Sequence, residues 1–293
     1  MKYTLYFFII LLLPFAACKQ QEDSSDAYGN FEAIEVIVSA ESIGRIISFS
    51  PLEGTTLAEN QLTVLVDTTQ LYLQKVRLES GFVSLRSRIS TLEAQVGASK
   101  VQLANIEREK ERIDKLAEGG AATSKQQDDI HGQVAVLKAQ IAATESQKAS
   151  VYAEQKTLNT QILQVEDQLG KCAVRNPIDG VLLSKYTEEG EMAAPGQPLY
   201  KVANMDELIL RAYVSGNQLA SLKTGESVRV RFDREMGLEE TNGVVSWISS
   251  QAEFTPKIIQ TREERVNLVY AIKVLVSNDG SLKIGMPGEV VFN

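Results

Sequence analysis

A seven-residue repeat of apolar positions runs through the chain between Pro51 and Pro177, an interval without proline. In the first arm the repeating residues are Leu71, Leu78, Leu85, Leu92, Ser99, Ile106 and Ile113, with Phe82, Ile89, Val96 and Leu103 as the second set. In the second arm they are Ile130, Leu137, Thr144, Val151, Leu158 and Val165, with Val134, Ile141, Ile162 and Leu169. An average spacing of about 3.5 residues is typical of a left-handed coiled coil, so the pattern predicts two long helices.

The repeat stops at Gly119-Gly120 and resumes after Thr123-Ser124. Paired glycines end a helix, and either hydroxyl residue can begin the next one, with Gln126 or Gln127 completing a capping box. Two arms of similar length around a short turn predict an antiparallel hairpin over residues 68–172, with its tip near 117–124. Arms of this size reach about 70 Å.

Three glycines lie inside the predicted helices, at Gly81, Gly97 and Gly132. Each costs about 1 kcal/mol relative to alanine in a helix. We therefore expect the arms to be supported by contacts with partners or neighbouring subunits.

The segments on either side of the hairpin are two copies of one motif. The matching positions are Gly44 with Gly180, Gly54 with Gly190, Asn60 with Gly196 and Gln61 with Gln197. Their constant offset of 136 residues indicates an internal repeat. Each copy has the pattern strand, turn, strand, and one copy alone cannot bury its apolar face. We predict that residues 31–67 and 173–204 pack on each other, with the hairpin emerging from their junction.

The last part of the chain, residues 205–293, predicts a small β domain. Alternating runs such as Leu208–Val214 and Val228–Phe232 are typical of half-buried strands. A short helix is expected over 216–222, and Trp247 is expected in the core. The fold class is therefore α+β.

The N-terminal sequence is typical of a targeting segment. The apolar run from Leu5 to Ala17 is too short to span a bilayer and is typical of a signal peptide over residues 1–17. The residues around Cys18 resemble a lipoprotein signal, which predicts lipid on Cys18. Plain secretion and an uncleaved anchor remain alternatives. The polar residues 18–30 predict a flexible tether.

Composition excludes several classes of function. The net charge is −8 and no basic cluster is present, which argues against nucleic acid as a partner. One His and two Cys provide no zinc ligand set, and a catalytic triad could use only His131. We therefore expect no enzyme activity, no metal and no cofactor, and His131 is expected on the surface.

The repeated motif resembles the two halves of a lipoyl or biotinyl carrier domain, but the junction holds about a hundred residues of predicted helix and no Met-Lys-Met-like turn. A lipoyl-type β-sandwich split by a helical hairpin and followed by a small β-barrel is the hallmark of HlyD-like periplasmic adaptors, also called membrane fusion proteins. The resemblance implies a periplasmic protein, held by lipid at the inner membrane. It also implies self-association into a ring and a link between an inner-membrane exporter and a TolC-like outer-membrane channel.

The hairpin tip resembles that of adaptors that dock on TolC-type channels. Those carry Arg, then Leu four residues on, then Ser seven further on. Here Arg112, Leu116 and Thr123 hold these spacings, with Ser124 next to the Thr that replaces Ser. The resemblance implies channel docking through these four residues, while the alternative is that Thr123 caps a helix and Arg112 is a solvated charge.

The class of exporter is less defined. Residues 252–265 resemble a loop of adaptors that work with ABC-type exporters, which favours an ABC partner over a proton-driven RND pump. Two other classes of function stay open: a carrier domain of an acyl- or carboxyl-transfer enzyme, and a structural coiled-coil lipoprotein of the envelope.

Overall fold

The computed structural model describes residues 25–234, 237–254 and 268–292. These residues divide into two compact units, one of residues 36–203 and one that combines residues 25–35 with the described residues from 204 onward. The predicted signal peptide and Cys18 lie outside the described residues.

The strands and helices fall into three groups along the chain. The first group is β1 (Ala27–Glu32), β2 (Glu35–Ser39), β3 (Gly44–Phe49), β4 (Thr56–Leu57) and β5 (Leu62–Val66), followed directly by the long helices α1 (Thr69–Glu118) and α2 (Ser124–Lys171). They are followed by β6 (Ala173–Arg175), β7 (Gly180–Lys185), β8 (Met192–Ala193) and β9 (Pro198–Ala203). The last group is β10 (Glu207–Ser215), α3 (Gly216–Leu219), β11 (Ser227–Arg234), β12 (Gly237–Ile248), β13 (Glu253–Phe254), β14 (Leu268–Ser277) and β15 (Pro287–Val291).

Helices α1 and α2 pack side by side in opposite directions. Ion pairs join Lys75 to Glu166 at 2.8 Å, Lys100 to Glu145 at 3.0 Å, and Glu107 to Lys138 at 2.8 Å. Because residue numbers rise on one helix as they fall on the other, the helices are antiparallel. Exposed pairs of this kind add little stability and mainly record the register between the helices.

The interface between the helices is formed by the repeating apolar positions. The buried side chains of the two helices are Ile89, Leu92, Val96, Ile130, Val134, Leu137, Ile141, Val151 and Val165. All nine belong to the seven-residue repeat read from the sequence. A Cβ atom at Gly81 would lie 3.3 Å from Leu158 Cδ2, so this glycine lets the helices approach closely.

The strands that flank the helices form two sheets, and each sheet takes strands from both flanks. One sheet has the order β2-β9-β7-β4, and the other has the order β6-β5-β3-β8. The two copies of the sequence motif are therefore interleaved. Their shared core includes Ile46, Leu57, Leu182, Leu199 and Tyr200, each fully buried.

Backbone hydrogen bonds between the two copies follow an approximate two-fold symmetry. The Gly54 N–H donates to the Leu182 carbonyl at 2.8 Å, and the Gly190 N–H donates to the Ile46 carbonyl at 2.9 Å. Adding 136 to the number of Gly54 gives Gly190, and subtracting 136 from that of Leu182 gives Ile46, so each bond is the counterpart of the other. Asn60, the counterpart of Gly196, has a φ of 62°, a conformation that Asn tolerates better than most residues.

A polar cluster lies inside this sandwich. The Tyr200 hydroxyl donates to Asn176 Oδ1 at 3.2 Å and lies 3.0 Å from Thr63 Oγ1. All three residues are buried, so each hydrogen bond replaces one that water would otherwise make. Since Thr63 precedes the helices and the other two residues follow them, the cluster ties the two flanks together.

The second unit is a closed barrel. Its strand order is β10-β1-β15-β11-β12-β14, and β14 pairs again with β10 to close the ring, while β13 extends the sheet beside β14. The interior contains Phe31 and Phe232 in edge-to-face contact, with ring centroids 6.3 Å apart.

Strand β1 corrects two boundaries read from the sequence. The tether was expected to extend to residue 30 and the first sandwich half to begin at 31, whereas Ala27–Glu32 pairs with β10 and β15 of the barrel. Gly29 makes this pairing possible, because a Cβ atom there would lie 1.9 Å from the Arg211 carbonyl oxygen.

Trp247 is a second correction. It was expected in the barrel core, but 43% of it is exposed. The register of β12 against β14 shifts between Val245 and Trp247, which is a β-bulge. The extra residue at the bulge turns Trp247 to the outside of the barrel.

Candidate functional site

The turn between α1 and α2 closes the far end of the helix pair with its own hydrogen bonds. The Ala121 N–H donates to the Leu116 carbonyl at 2.8 Å, and the Gly120 N–H donates to the Ala117 carbonyl at 3.0 Å. Gly120 has a φ of 73°. This is a Schellman motif, in which a left-handed glycine satisfies the last carbonyls of a helix. The turn therefore has a defined backbone conformation, and its side chains form a surface of defined shape.

Helix α2 begins with a capping box. The Gln126 N–H donates to Thr123 Oγ1 at 3.3 Å, and the Thr123 N–H donates to Gln126 Oε1 at 2.9 Å. Of the two hydroxyl residues that the sequence offered as caps, Thr123 is the one that caps. Ser124 is the first residue of the helix, and its side chain stays exposed.

The four residues predicted to dock on a channel lie on both sides of this turn. Arg112 and Leu116 are one helical turn apart on α1, and both are exposed. Arg112 pairs with Glu109 on its own helix. With Thr123 and Ser124 they present one cation, one apolar side chain and two hydroxyl groups, which suits contact with another protein better than bond-making chemistry.

The sequence reasoning missed a polar network beside this surface. The Asp114 carboxylate accepts from Lys110 Nζ at 2.8 Å and from Gln127 Nε2 at 3.2 Å, and it lies 3.0 Å from His131 Nε2. Lys110 is on the same helix, whereas Gln127 and His131 are on α2. His131, expected only as a surface residue, thus joins the two helices next to the tip.

These contacts stabilise the ionised form of Asp114. Hydrogen bonds from Lys110 and then His131 lower the pKa of its carboxyl group from 3.8 to about 2. The side chain is 28% exposed, so solvent screens these interactions. The network joins the two helices next to the four residues that the sequence predicts to dock.

Other kinds of site find no support in the part of the chain that the structure describes. Within residues 25–234, 237–254 and 268–292, no three His, Cys, Asp or Glu side chains cluster closely enough to hold a metal ion. Neither long helix among these residues has a stretch apolar enough to cross a membrane. Cys172 is a free, buried thiol that donates to the Gln168 carbonyl.

Comparison with known sequences gives partial matches. No protein-family model matches the chain. It is 36% identical over 115 residues to the UPF0194 membrane protein in the asrC 5' region of Acidithiobacillus ferridurans, covering 39% of this chain and 34% of that one. It is 31% identical over 118 residues to the UPF0194 membrane protein YbhG of Salmonella gallinarum, covering 40% and 35%. The chain thus spans about a third of the length of these relatives.

Comparison with solved structures gives a match over most of the chain. The crystal structure of MacA from Actinobacillus actinomycetemcomitans superimposes with a TM-score of 0.61, covering 91% of this chain and 78% of that one at 19% identity. The chain has the fold of MacA. This confirms the predicted α+β class, and the resemblance to HlyD-like membrane fusion proteins is one of fold.

The fold match does not extend to the individual residues of the tip. At 19% identity the similarity concerns the fold alone. The role of Arg112, Leu116, Thr123 and Ser124 therefore depends on their exposure and on the turn that holds them.

Proposed function

We propose that this chain is a periplasmic adaptor that links an inner-membrane exporter to an outer-membrane channel for efflux or secretion. The observation that carries the proposal is the insertion of two antiparallel helices between the interleaved halves of one sandwich. Helix α1 has 50 residues, so the pair projects about 75 Å from the sandwich. A projection of that length suits a protein that spans a gap between membranes.

The sandwich supports an assembly role. In this proposal the repeat and the two four-stranded sheets form a lipoyl-type domain, and the helix pair, with its seven-residue seam, forms a coiled-coil hairpin. In a carrier enzyme the junction of the halves would present a modified lysine in a tight turn. In this chain the two helices stand there instead. The protein acts by binding partners and is not an enzyme.

Membrane attachment follows from the N-terminus. In this proposal residues 1–17 are a signal peptide, and Cys18 carries lipid that holds the mature chain on the periplasmic side of the inner membrane. Two acyl chains would anchor it far more stably than one. Both sequence relatives are named membrane proteins, which supports attachment to a membrane.

The outward faces of the helices support self-association into a ring. On α1 the exposed outward positions from Ser80 to Asn105 carry no charge, and on α2 those from Gly132 to Ala153 carry none. The outward residues of α2 are Gly132, Ala135, Val136, Ala139, Ala142, Ala143, Ser146, Ala149, Ser150 and Ala153. Exposed helix faces normally carry charged residues, and small uncharged ones let a neighbouring helix approach closely.

Two glycines within the helices, Gly97 and Gly132, lie on these outward faces. Nothing lies within 4 Å of a Cβ atom placed at Gly97 or Gly132, so neither is required by packing within this chain. Each still costs about 1 kcal/mol of helix stability. Close contact with a neighbouring copy would explain why both are glycine.

In this proposal the tip docks on the outer-membrane channel through Arg112, Leu116, Thr123 and Ser124. Leu116 supplies the apolar side chain, 45% exposed, at the end of α1. The Schellman turn and the capping box hold the other groups around it. The inner-membrane partner in this proposal is an ABC-type exporter rather than an RND pump, on the resemblance of residues 252–265, of which 255–265 lie outside the described residues.

The test is affinity capture of partners from cells. Tagged protein is recovered from detergent-solubilised membranes, and the co-purifying proteins are identified by mass spectrometry. We expect an inner-membrane transporter and an outer-membrane channel. Arg112→Asp should lose the channel and keep the transporter, because only the tip surface is changed. Arg86→Asp, the same change at an exposed position near the middle of α1, should keep both.

Recovery of neither membrane protein would contradict the adaptor function and favour a structural envelope lipoprotein. Recovery of both proteins with Arg112→Asp would exclude Arg112 from docking. Intact mass of the mature protein tests the lipid on Cys18 separately.

A further inference from the structure

One outer face of the barrel is rich in aromatic and aliphatic side chains. It is formed where β1, β10, β14 and β12 lie next to one another. Its members, called the aromatic face below, are Tyr28, Ile209, Tyr213, Val244, Trp247 and Leu275.

Strand register places these residues side by side. Tyr28 pairs with Tyr213, Leu275 pairs with Ile209, and Val244 pairs with Leu275. Alternate residues of a strand point to the same side, so these side chains share the outside of the barrel.

The face is open to solvent among the residues that the structure describes. Tyr28 is 57% exposed, Val244 and Trp247 are each 43% exposed, and Leu275 is 36% exposed. Exposed apolar side chains grouped on one face in this way mark a binding site more often than isolated exposed residues do.

Two cations lie among the aromatic rings. Lys273 Nζ is 5.4 Å from the centroid of the Trp247 ring, and the Arg211 guanidinium is 5.9 Å from that of Tyr213. Arg211 is also paired with Glu253 at 3.3 Å. Trp and Tyr next to Lys and Arg are the residues that proteins place at the boundary between hydrocarbon and water.

The chain length before β1 limits how far this face can lie from the membrane. Six residues lie between Cys18 and Ser25, the first described residue. Even fully extended, the chain from Cys18 to Ser25 spans about 25 Å. If Cys18 is anchored in the bilayer, Ser25 therefore lies within about 25 Å of the membrane surface. Tyr28 follows a few residues later, at the end of β1 where the chain enters the barrel.

We propose that the aromatic face binds the bilayer itself, with its rings in the headgroup region, as a second attachment that does not involve acyl chains. The inference rests on the proposed anchoring near Cys18, because the tether is what brings this face to the surface. The binding is mainly interfacial. The net charge of −8 and the Arg211–Glu253 pair leave little attraction for anionic lipid alone.

The chain offers its own reporter, because Trp247 is its single tryptophan. The probe is the mature chain from residue 18 onward with Cys18→Ser, which cannot carry lipid. It is mixed with phosphatidylcholine vesicles, with or without phosphatidylglycerol. We expect a blue shift of Trp247 emission with both vesicles, and quenching by lipids brominated on the upper part of the acyl chain.

Substitutions test whether the face is responsible. Leu275→Ser and Tyr28→Ser should each weaken vesicle binding, and together by about tenfold, because they remove apolar surface from the contact. Leu238→Ser changes a leucine that is more exposed than Leu275, 59% against 36%, at the opposite end of β12, and it should bind as the parent does. Near-ultraviolet circular dichroism confirms that each variant keeps its fold.

Unchanged emission with both vesicles would overturn the proposal and leave the face to a protein partner. So would a shift confined to anionic vesicles and insensitive to Leu275→Ser and Tyr28→Ser, since that is adsorption by charge. Because the probe carries no lipid, neither result bears on lipidation of Cys18.

Discussion

The Tyr200 hydroxyl joins the two halves of the sandwich through a buried hydrogen bond to Asn176. Tyr200→Phe removes this donor and leaves a buried amide oxygen without it, so we expect a loss of about 1–2 kcal/mol in unfolding free energy. Tyr186→Phe makes the same change at an exposed site and should cost less than about 0.5 kcal/mol. Urea unfolding of both variants measures the difference, and equal stability would show that the cluster does not hold the halves together.

Asp114 makes the end of the helix pair sensitive to acid. Its folded pKa of about 2 lies below its ordinary value of 3.8. A depressed pKa stabilises the folded state above the unfolded value, and this contribution is lost as the pH falls from about 4 towards 2. We expect amide hydrogen exchange in residues 110–131, corrected for intrinsic rates, to accelerate over that range.

Asp114→Asn should show the faster exchange already at neutral pH and lose the acid dependence. The control is Asp128→Asn, at an exposed residue of the first turns of α2. It should exchange like the parent. Exchange in Asp114→Asn that matches the parent at every pH would show that the network does not stabilise the tip.

At the scale of elements, the outward face of α2 contacts neighbouring copies of the chain in the proposed ring. Ala142→Glu places a charge within that face and should weaken self-association by about tenfold, because the charge must be desolvated in the contact. Gln140→Glu adds the same charge at an exposed flanking position and should have little effect. Sedimentation velocity measures both, and identical association would exclude this face.

The sequence predicts the long helices well because their signals are local. The seven-residue repeat marks the buried side, and Gly119-Gly120 with Thr123 marks the turn, where α1 ends at Glu118 and α2 begins at Ser124. Strand β1 was missed because its pairing partners lie far away in the chain. The alternation of Ala27, Gly29 and Phe31 with polar residues was the available signal.

The Asp114–His131 contact was also readable in principle. Glu93, Lys100, Glu107 and Asp114 are seven residues apart, as are His131, Lys138, Glu145 and Tyr152. Once the turn fixes the register, each member of the first set faces one of the second. Trp247 could not be placed in this way, since nothing local in the sequence announces the bulge that turns it outward.

At the scale of the whole molecule, the internal repeat explains how a long projection is held. The two copies exchange backbone hydrogen bonds across a pseudo-two-fold relation, so both ends of the helix pair's base are fixed by one core. The offset of 136 residues in the sequence predicts this arrangement, because two incomplete copies must bury each other's apolar faces.

The most direct test of the adaptor account asks what the tip touches in a living cell. A photo-crosslinking amino acid is placed at Leu116, and separately at Leu163, an exposed position on α2 nearer the sandwich. After irradiation, inner and outer membranes are separated and the adducts are identified. The account predicts an adduct between position 116 and an outer-membrane protein, with none from position 163. An outer-membrane adduct missing at 116, or equally strong at 163, would contradict it.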